Sequence, residues 1–219
     1  MTEYPALEHD LQRRACDMGE SIKLPEPAVL GGFPIWETLK KRRTIRHYAE
    51  EPLALSVVSQ LLWASSGVSG ATSALRTAPS AGGKHPATMM FVAYRVTGLE
   101  PGIYRYHPVE HSLELVKAGE FGESLAGACS GQRQLSSAPA VFAWNVEAER
   151  TTGRYGDRGK RYILLDLGHA CQNLYLAAAA LGLGCCAIGA YSDERVNGLF
   201  DLDGSSQAVL YMATVGVPG

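Results

Sequence analysis

Residues 161–181 read RYILLDLGHACQNLYLAAAAL, and this stretch decides the fold because it is the longest helical repeat in the chain. One apolar stripe recurs at helical spacing and consists of Ile163, Leu167, Cys171 or Ala170, Leu174, Ala178 and Leu181. A second stripe carries Asp166, His169 and Asn173. A helix that is nearly apolar all round is buried among other elements. The sequence therefore predicts a central helix over residues 161–181.

The segments around this helix alternate between strand and helix patterns. Strands are predicted at 88–96, 140–146, 185–188 and 209–217, with a hairpin of 102–106 and 113–116 turning at His107-Pro108. Shorter helices are predicted from Pro34, from Ser56 as N-cap to Gly67, and from Ser192 to Phe200. Helices and strands mix without regular βα alternation, which indicates an α+β fold.

Composition suits a single globular domain that acts on small molecules. The 219 residues are 46% apolar and 19% charged, with a formal net charge of −2, which excludes disorder and gives no bulk attraction for nucleic acid or an anionic membrane. The charged fraction is low enough to favour an apolar subunit interface. We predict an N-terminal arm over residues 1–33 and one domain over 34–219.

The sequence also favours a reducing, cytoplasmic setting. Five cysteines, odd in number and without a CxxC pair, predict neither a disulfide framework nor a thiolate metal site. The first residues, MTEYPALEHDLQRR, lack the apolar core of a secretory signal. Residues 174–191 carry no charge, but three glycines interrupt them, which favours a buried helix and strand over a membrane span.

Two motif matches fail on their structural context. His107 to His111 match the H-x-x-E-H string of one metalloprotease group, but that string requires a helix. Pro108 and the alternating flanks predict a hairpin turn with solvated side chains and no metal. Residues 182–187, GLGCCA, match G-x-G-x-x-A, but a dinucleotide fingerprint follows a strand and opens a helix. Here the glycines close a helix and allow a close backbone approach.

A basic cluster, KKRRTIR at residues 40–46, allows three interpretations. It could be a nucleic-acid patch, a solvated helix end near the C-terminal dipole, or a site where arginines and Thr44 bind a phosphorylated ligand. The turn Ser80-Ala-Gly-Gly-Lys84 favours the ligand site, because small residues let backbone N–H groups approach a flat or anionic molecule. This turn belongs to a loop at 65–85 rich in Gly, Ala, Ser and Thr, and loops of that length are usually functional or disordered.

Polar residues near the long helix offer candidates for proton transfer. Asp166 and His169 lie one helical turn apart, so they could form an acid–base dyad. We favour the alternative that they belong to a buried polar network that joins helices. Arg154 and Tyr155 lie in a predicted loop between a strand and the helix. A loop there can aim the Tyr155 phenol at a pocket, although a surface aromatic fits the same pattern.

Three stretches together resemble the nitroreductase superfamily of FMN enzymes, and within it the SagB-type dehydrogenases, which include azoline oxidases. Residues 42–48, RRTIRHY, are similar to the family's R-R-S-[IV]-R-x-[FY]. Residues 79–86, PSAGGKHP, are similar to its P-S-A-G-G/A-x-x-P loop. Residues 155–174, YGDRGKRYILLDLGHACQNL, are similar to the branch's Y-G-x-R-x-x-R-Y-x-L-L-D-x-G-H-x-x-Q-N-L.

The resemblance implies an intertwined α+β homodimer with a mainly antiparallel sheet flanked by helices and two FMN sites at the subunit interface. By resemblance, Arg42, Arg43, Thr44 and Arg46 contact the phosphate, ribityl chain and pyrimidine edge of FMN. The loop Pro79, Ser80, Ala81, Gly82 and Gly83 comes from the opposite subunit. The segment Ala187, Ile188, Gly189 and Ala190 passes under the flavin ring and offers backbone donors near N5 and O4.

The resemblance also sets the expected functions. The first is transfer of hydride between NAD(P)H and a nitroaromatic, quinone or enone by a ping-pong mechanism. One alternative is oxidation of an azoline-like heterocycle on a peptide or metabolite. The other is flavin binding without catalysis. Azoline oxidases carry Lys-Tyr where this chain has Arg154-Tyr155, and arginine is a poor general base. Many members also end in a basic phosphate clamp, whereas this sequence ends at Val217-Pro218-Gly219, so the phosphate is expected to rely more on Arg42, Arg43 or another cation.

Overall fold

The computed structural model describes residues 21–219, and its elements confirm an α+β architecture. The helices are α1 (Ile35–Lys41), α2 (Leu55–Ser66), α3 (Gly122–Ala128), α4 (Gln134–Ser137), α5 (Glu149–Tyr155), α6 (Arg158–Ala180) and α7 (Asp193–Leu199), with a 3-10 turn at Ala81–Gly83. The strands are β1 (Ser21–Lys23), β2 (Leu53–Ala54), β3 (Ala87–Ala93), β4 (Val96–Thr97), β5 (Gly102–His107), β6 (Ser112–Ala118), β7 (Ala140–Glu147), β8 (Gly184–Ile188) and β9 (Gln207–Gly216).

A seven-stranded sheet forms the centre, in the order β1-β6-β5-β3-β7-β9-β8, and every pair of neighbours is antiparallel. Strands β3 and β7 are almost fully buried, as expected for apolar strands covered on both faces. Strands β2 and β4 form a separate parallel pair. The edge strand β8 follows helix α6 in the chain and pairs with β9.

Helix α6 is the long helix that the sequence predicts, and it begins three residues earlier, at Arg158. The predicted stripe is buried except at its last position, Leu181, which is exposed. The opposite side of α6 is not covered, however, because Leu164 and Leu165 are 61% and 55% exposed. Helix α6 is therefore central only on one face within a single chain.

Helix α1 adds to this uncovered surface. It packs against α6 and leaves Trp36, Ile35 and Leu39 exposed, with Trp36 at 79%. Leu164 and Leu165 on α6 and these side chains on α1 all contribute exposed apolar surface, and such surface, when extensive, marks interaction sites in soluble proteins.

The hairpin of β5 and β6 forms as predicted, but its turn is not fully solvated. His111 has φ of 48° and is only 8% exposed. Its Nε2 atom donates to the Pro25 carbonyl at 3.0 Å, and its Nδ1 accepts from the Tyr106 hydroxyl at 2.8 Å. Burial lowers the pKa of His111, which keeps the ring neutral. The prediction of a solvated His111 was wrong because a segment from the N-terminal side of the chain covers it.

Two other local predictions need correction. Helix α2 begins at Leu55 with Ala54 as N-cap, so Ser56 lies inside the first turn and does not cap it. Tyr155 ends helix α5, and Gly156, at φ of 56°, makes the junction with α6. Ser192, by contrast, caps α7 as predicted, since its hydroxyl accepts from the Arg195 N–H.

The N-terminal arm is described only from Ser21. Residues 21–23 pair with β6, and Leu24 is buried in the core. The remainder of the predicted arm, residues 1–20, lies outside the described residues. Within residues 21–219, none of the helices has the length and apolar character needed to cross a membrane.

Candidate functional site

The basic segment and strand β8 form one group of candidate residues, which we call the β8 cluster: Arg42, Thr44, Tyr175 and Ala187. Thr44 forms a parallel bridge with Cys185, and the Ile45 N–H donates to the Cys185 carbonyl at 3.0 Å. This close pairing depends on Gly184, because a Cβ there would lie 2.6 Å from the Cβ of Ile45. Glycine is thus the residue that lets the basic segment lie along the sheet edge.

The Tyr175 hydroxyl connects the members of the β8 cluster. It accepts a hydrogen bond from the Ala187 N–H at 2.8 Å and lies 3.2 Å from the Thr44 hydroxyl oxygen. Because the Ala187 N–H can only donate, the Tyr175 proton is available to Thr44. Burial raises the pKa of Tyr175, so the phenol keeps that proton. The Thr44 hydroxyl can donate or accept in this pair, and because it is exposed it can also bond to a ligand.

Positive charge surrounds this arrangement. The Arg42 guanidinium lies 5.4 Å from the centroid of the Tyr175 ring. Arg43 is exposed and donates to the carbonyls of Lys40 and Arg42 at 2.9 and 2.7 Å. Arg46 lies near Cys186, where its charge opposes the rise in the thiol pKa that burial causes. Cations and hydroxyl donors are the groups that recognise a phosphorylated ligand.

Strand β8 ends next to these groups at a small, open segment. Gly189 and Ala190 are exposed, and among residues 21–219 their backbone N–H groups have no hydrogen-bond partner. Ala187 and Ile188 belong to β8 and are fixed by their pairing with β9. The end of β8 therefore offers two backbone donors beside a cationic segment.

A second group lies near the N-terminal half of α6, and we call it the loop cluster: Ser80, Ala81, Gly82, Tyr155 and Asp166. The Ser80 hydroxyl donates to Asp166 Oδ2 at 2.6 Å, and the Ala81 N–H donates to both carboxylate oxygens at 3.1 Å. Asp166 is therefore the anchor of the loop that begins at Pro79. The prediction of a buried network in which Asp166 and His169 join helices was wrong: Asp166 joins the helix to a loop, and the exposed His169 takes no part in these hydrogen bonds.

Tyr155 reaches the same loop. Gly82 and Gly83 have φ of 59° and 63°, and the Tyr155 hydroxyl occupies the space that a Cβ on Gly82 would fill. The Tyr155 ring packs edge-to-face on Tyr162 at 5.1 Å, and the Arg154 guanidinium lies 5.3 Å from its centroid. The glycine thus gives a phenol direct access to the loop backbone.

The chain does not bring the two clusters together. Asp166 and Tyr175 are separated by nine residues of one helix, which is about 14 Å along its axis. The exposed Leu164 and Leu165 belong to the same helix. Within residues 21–219, His, Cys, Asp and Glu side chains form no group of three or more that could hold a metal ion.

Sequence reasoning named Arg42, Thr44 and the loop, but it missed Tyr175 and Tyr162. A tyrosine within an otherwise apolar helix face is a usable signal for Tyr175, because a buried phenol needs a hydrogen-bond partner. Its partners, Thr44 and Ala187, are distant in sequence and give no local pattern.

Comparisons with known proteins identify relatives across most of the chain. A model of the nitroreductase family matches residues 39–217. A Methanocaldococcus jannaschii protein whose name describes it as a nitroreductase is 37% identical over 179 residues, covering 82% of this chain and 89% of that protein. The trifolitoxin operon protein TfxC of Rhizobium leguminosarum bv. trifolii is 26% identical over 215 residues, covering 90% of this chain and 60% of that protein.

Solved structures share the fold. A structure from Ralstonia eutropha JMP134, described as a nitroreductase, is 28% identical, with a TM-score of 0.78 over 91% of this chain and 90% of that chain. The Escherichia coli microcin synthetase McbBCD complex, with truncated pro-MccB17 bound, contains a chain that is 21% identical, with a TM-score of 0.73 over 100% of this chain and 84% of that chain. A Desulfovibrio desulfuricans structure in complex with FMN is 19% identical, with a TM-score of 0.61 over 86% of this chain and 88% of that chain.

Proposed function

Since this chain belongs to the nitroreductase family, we propose that it is an FMN-dependent oxidoreductase that reduces an electron-poor small molecule, such as a nitroaromatic, quinone or enone, with NAD(P)H. When bound, FMN would supply hydride transfer to and from its N5 atom. Both substrates would use one pocket in turn, which gives ping-pong kinetics.

The observation that carries this proposal is the donor set of the β8 cluster. The exposed Thr44 hydroxyl lies beside the Tyr175 hydroxyl and can bond to a ligand, and Arg42, Arg43 and Arg46 supply the charge that a phosphate and an electron-rich ring edge require. Gly189 and Ala190 add two unpaired backbone donors. These residues fit FMN: Arg42, Arg43, Thr44 and Arg46 would hold its polar groups, and residues 187–190 would lie beside its ring.

We propose further that the functional unit is a homodimer in which the loop of Pro79, Ser80, Ala81, Gly82 and Gly83 completes the site of a second copy. Two features support this. The loop cluster lies about 14 Å along α6 from the β8 cluster of the same chain. The apolar surface of Trp36, Leu164 and Leu165 is exposed in one chain and would be buried between two.

Tyr155 and Arg154 are the proposed catalytic pair. The Tyr155 hydroxyl touches the Gly82 position of the loop, where it can donate a proton or orient a bound acceptor. Arg154 lies against the Tyr155 ring, and a guanidinium is a poor general base. Its role is therefore electrostatic, and it does not act as a base.

A second candidate function is oxidation of an azoline-like heterocycle on a peptide. The similarity to TfxC of a trifolitoxin operon and the fold shared with a microcin synthetase chain favour it. The chain covers 60% of TfxC, so the activity of that whole protein is not transferred here. Arg154 argues against this candidate where the reaction needs a neutral amine as base.

The first test is the visible spectrum of the purified protein with added FMN, followed by assays of NADH and NADPH oxidation with menadione. We expect about one FMN per chain and oxidation that menadione stimulates, with parallel lines in double-reciprocal plots. Failure to bind FMN would overturn both functions. FMN binding without reductase activity, together with loss of two hydrogens from a thiazoline peptide, would select the second.

A further inference from the structure

A cavity of about 250 Å³, partly open to solvent, lies beside the loop cluster. Its walls come from the end of α2, from strands β3, β5 and β7, and from α6. It shares Ser80 and Asp166 with the loop cluster, whose anchoring bonds run along one side of it. None of the β8 cluster residues lines it.

Two arginines face this cavity without a counter-ion. Arg76 is half-buried; its Nη1 atom donates to the Ser66 carbonyl at 3.4 Å, while its buried Nε atom has no hydrogen-bond partner among residues 21–219. Arg150 lines the same cavity, and neither residue forms an ion pair with any part of the chain from Ser21 onward. Burial lowers the pKa of Arg76; Arg150 acts in the same direction, and Tyr106 and Glu110 act against it. A desolvated guanidinium without an anion is unfavourable.

The other charged groups of the cavity are already engaged. Arg105 and His107 both bond to Glu114, at 3.2 and 2.8 Å. The carboxylate of Asp166 accepts from Ser80 and Ala81 and so is directed to the loop. The cavity therefore retains two free cations and no free anion among the residues that line it.

A third donor lacks an acceptor. The Trp144 side chain is 1% exposed and lines the cavity, and its indole Nε1–H has no hydrogen-bond partner in the part of the chain from Ser21 to Gly219. Buried indole N–H groups usually find a partner. The cavity thus holds donors in excess, beside an apolar wall formed by Met89, Leu167 and Ala170.

We propose that this cavity is a binding site for a small carboxylic acid with an apolar body. The carboxylate lies between Arg76 and Arg150 and accepts from the Trp144 N–H, while the apolar body packs on Met89 and Leu167. A planar guanidinium matches a carboxylate through two parallel hydrogen bonds. Because the ligand also contacts Pro79 and Ser80, its binding stiffens the loop that carries Gly82. This proposal does not depend on flavin chemistry.

The test is calorimetric titration of the FMN-saturated protein with benzoate, with benzamide as the neutral isostere and inorganic phosphate as an anion without an apolar body. We expect millimolar or tighter binding of benzoate, at least tenfold weaker binding of benzamide and phosphate, and loss of at least tenfold in benzoate affinity in R76Q and R150Q. W144F should lose about threefold. The matched control is R133Q, since Arg133 is exposed and does not line the cavity.

Three outcomes would overturn the proposal. Benzoate binding that is unchanged in both R76Q and R150Q would place the acid elsewhere, such as over the flavin, where the visible spectrum would shift. Equal affinity for benzamide would remove the role of charge. Absence of benzoate binding at 10 mM (about 2.7 kcal/mol at 25 °C) would mean a cavity filled by water. These experiments measure benzoate binding and not turnover, so their failure would not count against the proposed FMN-dependent activity, which is tested separately.

Discussion

The two clusters on α6 are built in different ways, although one helix carries both. The β8 cluster is held by main-chain pairing between Thr44 and Cys185 and by the Tyr175 hydroxyl within the helix. The loop cluster depends on one carboxylate, Asp166, which fixes a glycine-rich loop by three short contacts. The first is therefore part of the fold, whereas the second is a loop attached to it.

This difference indicates a division of roles. A segment paired to a sheet edge is rigid and suits the permanent binding of a cofactor. A loop fixed by a single side chain can shift when that side chain changes, and it suits contact with a substrate that enters and leaves. We expect changes in the β8 cluster to alter FMN affinity and changes in the loop cluster to alter turnover.

The largest effect is expected for R42Q. Loss of a charge-assisted hydrogen bond costs about 1.5–3 kcal/mol, so the Kd for FMN should rise roughly 10- to 100-fold. Fluorescence titration of FMN measures this. K40Q removes the same charge from the end of α1 and is the matched control, with a change below about threefold. Equal effects of the two variants on the Kd for FMN would show that the segment acts only through its general positive charge and not through a specific contact of Arg42.

Gly184 tests the main-chain pairing itself. In G184A the new Cβ meets Ile45 at 2.6 Å, and overpacking of this kind destabilises by about 1–3 kcal/mol. Urea unfolding should show the loss, and FMN affinity should fall with it. G168A is the control on α6, where a Cβ meets nothing within 4 Å and alanine should stabilise the helix by up to about 1 kcal/mol. Unchanged stability of G184A would show that the pairing with β8 is loose.

Asp166 tests the other cluster. D166N keeps one acceptor oxygen for the loop, so the variant should lose about tenfold in kcat/KM while its Kd for FMN changes less than about threefold. D157N, which removes an exposed partner of Lys160, should leave both values unchanged. If D166N instead lost FMN affinity as strongly as R42Q, the division between the two clusters would be wrong.

The smallest effect concerns a region outside both clusters. Because burial lowers the pKa of His111, protonation favours the unfolded chain. Its contribution to stability is complete above the ordinary histidine pKa of about 6.5 and is lost as the pH falls through that value. H111N, which suits the positive φ, should show lower stability at pH 8 and a flatter decline between pH 7 and 5.

Differential scanning calorimetry at several pH values would measure this decline, with FMN affinity at pH 8 unchanged in H111N. A decline as steep in H111N as in the parent protein would assign the pH dependence to another group.

Much of this architecture could be predicted from local pattern. The repeat in residues 161–181 predicted α6, and alternating or continuous apolar runs predicted β3, the β5–β6 hairpin and β7. Helices α3, α4 and α5 were not predicted, because they have only four to seven residues and contain Gly, Ser or Thr, which have lower helix propensity than alanine. Strand β1 has three residues, and its pairing with β6 is a long-range contact.

In the candidate site, too, local features could be predicted from the sequence and long-range contacts could not. Arg42, Thr44 and the glycines of the loop were identifiable because they are close in sequence and resemble family motifs. The connection between Thr44 and Tyr175 was not, since the two residues are 131 positions apart. Similarly, the partner of Asp166 is Ser80, 86 positions away, and not His169 one turn along the helix. Local spacing predicts which residues share a face, but not which distant segment packs against it.

The central claim is that each site is completed by two chains, and complementation tests it most directly. Two variants, R42Q/T44A in the β8 cluster and D166A in the loop cluster, would be purified separately, mixed under conditions that allow subunit exchange, and assayed with menadione. Each mixed dimer would contain one intact site and one doubly altered site, so random exchange should restore about a quarter of the parent activity. Activity that stays at the sum of the two separate variants after exchange is demonstrated would contradict the claim and place both clusters of a site in one chain.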